Sequence, residues 1–115
     1  MQFICLVYVD PSLAEKMTEA DWQDMGARSQ AYDRQLQESG HYIHAEALEE
    51  PKTAVTLHVR KGQMSTTDGP FAETKEHLGG FILVEARDLN EAIAIGSRIP
   101  MAELGSIEVR PIMRF

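Results

Sequence analysis

A chain of 115 residues, 43% hydrophobic and 25% charged, is long enough for one packed domain and too rich in apolar side chains to be disordered. Its formal charge of −7 excludes nucleic acid as the main partner, because phosphate binding is driven by clustered Lys and Arg and only Arg60-Lys61 forms a basic pair. The single cysteine, Cys5, excludes an intramolecular disulfide and a Cys-based zinc site within one chain.

The opening run Phe3-Ile4-Cys5-Leu6-Val7-Tyr8-Val9 is continuously apolar and reads as a central strand, with Cys5 as a small buried hydrophobe; Asp10-Pro11-Ser12 ends it. No basic stretch precedes an apolar leader and no apolar run approaches ~18 residues, so no membrane partner and a cytoplasmic location are expected. Thr18 and Asp21 approximate a capping box for a helix from about Glu19 to Ser39, stopped by Gly40. Trp22, Met25, Ser29, Tyr32 and Leu36 follow at spacings of 3, 4, 3 and 4, which predicts one face packed into the core.

Tyr42 to Leu48 and Ala54 to Val59 read as strands around a turn at Pro51, and Lys61-Gly62 makes a second tight turn into Gln63 to Thr67. Gly79-Gly80 precede the apolar strand Phe81-Ile82-Leu83-Val84. Asp88 caps a second helix, Leu89 to Ile99, with Ala92, Ile93 and Ile95 inward and Pro100 just beyond. Ile107 to Met113 alternates as a half-buried strand, and its Pro111 favours an edge or a bulge.

The order is one α+β domain spanning residues 1–115: a ferredoxin-like βαββαβ sandwich with an inserted strand. Two helices cover one face of the sheet. The first strand is apolar on both faces, so the other face needs cover too, and a homodimer supplies it most simply.

Chemistry is sought on that second face. A turn centred on Pro51 sets His44 opposite His58 and Glu46 opposite Thr56. A turn at Lys61-Gly62 sets His58 opposite Ser65 and Thr56 opposite Thr67. The polar side then gathers His44, His58, Ser65, Glu46, Thr56 and Thr67, while Ile43, Ala45, Val55, Leu57, Val59 and Met64 go to the helices. Three readings stay open for the polar side: acid–base or ligand contact, a divalent metal, or a wet interface. No metal and no cofactor are assigned.

His41 is expected to be solvated; His77 is expected on a loop, with a surface position and a role at the site as its two readings. The stretch Asp68-Gly69-Pro70 reads as a sharp turn, with Phe71 anchoring its loop in a pocket and Glu73 and Lys75 adding charge. A structural Ω-like loop and a pocket gate are the two readings of that segment. The candidate catalytic residues are Asp68, His44 and His58. The candidate ligand contacts are Tyr8, Ser65, Thr67, Phe71, Glu73 and Lys75.

Asp68-Gly69-Pro70-Phe71-Ala72-Glu73-Thr74-Lys75-Glu76, followed by Leu78-Gly79-Gly80-Phe81, resembles the defining motif of the DGPF branch of the YCII-related proteins. The resemblance extends from the first strand to Gly105-Ser106-Ile107-Glu108-Val109-Arg110-Pro111. It implies a ferredoxin-like fold assembled as a dimeric α/β barrel. Members of the wider group have been proposed as small enzymes with a His on the first helix paired with an acid. Here that helix has no histidine, and Ser29 stands roughly in its place. DGPF proteins are commonly encoded beside extracytoplasmic-function sigma factors, which implies a regulatory link. The expected function is a homodimer binding a small organic ligand in a cavity at the sheet face. The alternative is a cofactor-free isomerase or lyase acting on a small aromatic or enolic compound.

Overall fold

The computed structural model describes residues 1–115. Its elements are β1 (Gln2–Val9), α1 (Pro11–Ala14), α2 (Glu19–Glu38), β2 (Tyr42–Ala47), β3 (Val55–Arg60), β4 (Gln63–Asp68), β5 (His77–Glu85), α3 (Leu89–Ser97) and β6 (Gly105–Pro111). Two 3₁₀ turns, Pro51–Thr53 and Pro100–Leu104, complete the chain. The main sheet runs β2-β5-β1-β6, with every neighbouring pair antiparallel. That is the ferredoxin-like order, and β3–β4 is an inserted hairpin forming a sheet of its own.

Burial along β1 alternates as the sequence predicts. Phe3, Cys5, Val7 and Val9 are buried against the helices, while Ile4, Leu6 and Tyr8 are half-buried on the open face. Leu36 of α2 and Ala92 and Ile95 of α3 close the main core over Phe3, Cys5, Ile82 and Val84. Ile93, expected inward, is 49% exposed, because Ala92, Ile95 and Gly96 make the buried face of α3. The capping box of α2 is present, with the Asp21 N–H donating to Thr18 Oγ1 (3.1 Å) and the Thr18 N–H to Asp21 Oδ2 (2.9 Å). Asp10 ends β1 as expected and also caps α1, accepting from the Ser12 N–H at 2.9 Å.

Cys5 is fully buried, and desolvation pushes its thiol up to about 11. Folded protein at pH 8 is therefore expected to resist a thiol-reactive dye that labels it readily in denaturant. Rapid labelling of the folded protein would contradict this packing.

The expected β2–β3 hairpin does not form. β2 pairs instead with β5, setting His44 beside Leu83 and Glu46 beside Phe81, and β3 pairs only with β4. His44 is therefore not opposite His58, nor Glu46 opposite Thr56. The reason lies in the connection: Pro51–Thr53 coils into a 3₁₀ turn, which carries the chain off the sheet instead of folding it back. The β3–β4 register is the predicted one, with His58 opposite Ser65 and Thr56 opposite Thr67. Lys61 (φ 52°) and Gly62 (φ 75°) both take the left-handed region that a tight two-residue hairpin turn needs.

The hairpin's apolar side, expected against the helices, is bare. Val55, Leu57, Val59 and Met64 are 58–63% exposed. Its other side turns toward the chain that follows: Thr56 Oγ1 donates to the Gly69 carbonyl at 2.8 Å, and the His58 ring lies 5.9 Å from that of Phe71. With one face of each sheet uncovered, the molecule is a slab of 46 × 44 × 18 Å.

Candidate functional site

Two helices of unequal length lie on one four-stranded sheet. α2 has 20 residues and spans about 30 Å, whereas α3 has nine. Beyond the end of α3 the sheet is roofed by α2 alone, and a groove of about 860 Å³ opens there. From α2 it takes Trp22, Met25, Gly26, Ser29, Tyr32 and Asp33, one face of the helix; its floor is Val7, Val9, Ala45 and Ile82 of the sheet. Pro11, Ala14 and Glu15 close one side, Leu48 to Lys52 the mouth, and Ile99 to Met101 the inner end. The stripe that the spacing predicts as core is thus core only at Met25 and Leu36. Trp22, 41% exposed, lines the groove.

A β-bulge sets the groove's imidazole. Val7 pairs with Gly80 and Tyr8 with Leu78, so Gly79 is an extra residue in β5. Without it, strict alternation would send His77 to the open face; with it, His77 sits opposite Val9 on the groove side. A Cβ on Gly79 would lie 2.9 Å from Val9 Cγ2, so any larger residue at the bulge must displace that side chain. His77 was expected on a loop. It is instead the first residue of β5 and half-buried, with Nδ1 sealed from solvent and lacking a hydrogen-bond partner.

Asp33 brings a carboxyl to the same groove, and burial holds it above the usual carboxylate range. Burial also raises the Tyr32 phenol, which is occupied in donating to the Ile95 carbonyl at 2.7 Å. The groove therefore offers the Asp33 carboxyl and the Ser29 hydroxyl from α2 and the His77 imidazole from β5, beside an apolar floor. Such a set can hydrogen-bond one end of a small molecule and exchange a proton with it.

None of the candidates expected from sequence lines this groove. Tyr8 and His44 lie on the open face of the main sheet, where His44 Nε2 meets Glu46 Oε2 at 2.9 Å and its ring lies 6.1 Å from that of Phe81. His58, Ser65, Thr67 and Asp68 belong to the hairpin. Phe71, Glu73 and Lys75 are exposed on the loop that follows. Gly69 makes the predicted turn at φ 97°, its N–H donating to the Ala54 carbonyl at 2.7 Å. Phe71 is 81% exposed, so the expected anchoring pocket is not supplied by its own chain. His41, expected in solvent, is half-buried between Ser39 Oγ (2.7 Å) and Glu91 Oε1 (3.2 Å).

The sequence does not mark Asp33 and marks His77 only as one of two readings, for definable reasons. A carboxylate next to a helical stripe reads as its solvated border, and the stripe itself reads as core. His77 looks like loop while Gly79-Gly80 are taken as a strand entry. Adjacent glycines inside a strand are, however, a recognised mark of a bulge, and that mark was available.

A family model described as the YCII-related domain matches residues 1–115. An uncharacterised protein of Rhizobium meliloti (strain 1021) is 32% identical over 114 residues, covering 97% of this chain and 92% of its own length.

Proposed function

The chain belongs to the YCII-related family, and from that premise we propose that it is a homodimer binding a small, largely apolar organic molecule between α2 and the sheet. The groove carries the proposal: about 860 Å³, mostly apolar, with Ser29, Asp33 and His77 among its lining, falls in the range of small-molecule sites. The cavity expected on the open sheet face is thereby moved to the helix side. The bare faces of the main sheet and the hairpin support the dimer. Tyr8, His44, His58, Ser65, Thr67, Asp68, Phe71, Glu73 and Lys75 lie on or beside those faces, so a site built from them would be completed only by a second copy. No helix is long and apolar enough to cross a membrane. The cytoplasmic location and the sigma-factor link remain parts of the proposal that rest on sequence and family resemblance.

Gly26→Leu tests the groove. Gly26 faces it, and a Cβ there meets nothing within 4 Å, so a larger side chain grows into empty space. Replacing a mid-helix glycine should stabilise α2 by about 0.5–1 kcal/mol. The expected result is a Tm at or above wild type, with binding of 4-phenylbutanol, read from the emission of the single tryptophan Trp22, weakened about tenfold or more. Unchanged affinity in the variant would place the ligand elsewhere.

A second reading is favoured by Asp33 of α2 and His77 of β5 both lining the groove. A carboxyl whose proton affinity is raised by burial and an imidazole on the same groove are the two proton-transfer groups that a cofactor-free isomerase or lyase needs. Substrate turnover that is abolished in both Asp33→Asn and His77→Gln would favour it over simple binding.

A further inference from the structure

The charges around the groove are uneven. Besides the Tyr32 phenol and Glu46, its ionisable side chains are Glu15, Asp33, Glu49, Glu50, Lys52 and His77. Lys52, the groove's one basic side chain that is always charged, is exposed at the mouth and shares its charge with Glu50, Nζ to Oε2 at 3.1 Å. Glu46 contributes backbone only, since its carboxylate is turned to His44 on the opposite face. Glu15, Asp33 and Glu49 form no ion pair. The groove thus combines an apolar floor with unpaired carboxylates on one wall and at its mouth, and it has no free Lys or Arg to receive an anion.

Resting on the binding reading above, we propose that the groove accepts a molecule with a cationic amine on an apolar body, its ammonium held against Asp33. Of the three unpaired carboxylates Asp33 is the half-buried one, while Glu15 and Glu49 are exposed. A carboxylate stripped of water gains most from an opposite charge, because attraction strengthens as the local dielectric falls. An ammonium there restores to the ionised carboxylate the solvation that burial removes. A carboxylate ligand would meet repulsion from all three acids, and a neutral ligand would leave Asp33 desolvated and unpaired. The apolar body then lies along Val7, Val9 and Met25. Glu15 and Glu49, near the surface, add attraction screened by salt.

Three probes of one shape decide the matter: 4-phenylbutylammonium, 4-phenylbutanol and 4-phenylbutyrate, titrated at pH 7 against wild type and Asp33→Asn with Trp22 emission and calorimetry as readouts. The ammonium is expected to bind wild type about tenfold tighter than the alcohol, with the carboxylate weakest. In Asp33→Asn the ammonium's advantage over the alcohol should vanish, with far-UV circular dichroism matching wild type to show that the variant is folded. If alcohol or carboxylate binds wild type as well as the ammonium does, the amine inference falls and the groove reading stands. If the preference survives in Asp33→Asn, the assignment to Asp33 is overturned. If none of the three binds, both this inference and the groove reading fall.

Discussion

Leu57→Glu is expected to yield a monomer in size-exclusion chromatography with light scattering, at concentrations where wild type elutes as a dimer. Leu57 is 58% exposed at the middle of the apolar face formed with Val55, Val59 and Met64. Each such side chain is worth about 1.5–3 kcal/mol when fully buried, and about half of that surface is still uncovered in one chain. A glutamate at the centre of that face replaces one of these gains with the cost of burying a charge, so dimer affinity should fall by several orders of magnitude, on the order of 4 kcal/mol or more. The core does not include Leu57, so far-UV circular dichroism of the β1, β5 and α2 framework should be unchanged. A two-stranded hairpin on its own is marginal in water, so β3–β4 should lose protection in the variant. Wild type that stays monomeric at high concentration, or a variant that stays dimeric, would remove this role from the hairpin.

Gly105→Ala should cost more of the fold than any surface change. Gly105 has extended backbone at φ 174°, a conformation open to every residue, so the obstacle is space. A Cβ there would lie 1.9 Å from the Tyr8 carbonyl oxygen, 2.8 Å from its carbon and 3.0 Å from Val9 Cα. All three neighbours are backbone, and none has a rotamer with which to retreat. Relief requires β6 to move away from β1 at the corner where the Asp10 N–H donates to the Leu104 carbonyl at 2.8 Å. A destabilisation of about 3 kcal/mol or more is expected, lowering Tm on the order of 10 °C. Gly26→Ala, with open space at its Cβ, is the matched control and should not lower it.

What was legible in the sequence is what local periodicity and turn chemistry control. The two-sided strand, the capped helix and the Lys61-Gly62 turn each depend on residues close in sequence, and each is found where expected. The partner of β2 depends on a long-range choice. A short polar connection between two strands suggests a hairpin, but the edge of β5, with Ile82 opposite Ala45 and Val84 opposite Tyr42, offered β2 a better apolar surface. The site was missed for the same reason at smaller scale. The bulge at Gly79 shifts alternation by one residue and sends His77 to the groove, while a second at Ile43 leaves His44 on the open face, as expected. A single inserted residue exchanges the faces, and no amphipathic pattern records it. Unequal helix length was visible, but that it would leave a void required knowing where both helices land.

α2 is held at two separate points. Met25 packs with Val9 and Leu104, and Leu36 is built into the main core eleven residues later, about 16 Å along the axis. Between them Ser29 and Asp33 overhang the groove, while the Tyr32 hydroxyl is tied to the Ile95 carbonyl. A helix fixed at both ends of a gap behaves as a beam. The cavity beneath it exists before any guest arrives, and little conformational entropy remains to be lost on binding. Association should then be governed by access through the mouth at Leu48 to Lys52, and affinity by fit to a shape the empty protein already holds.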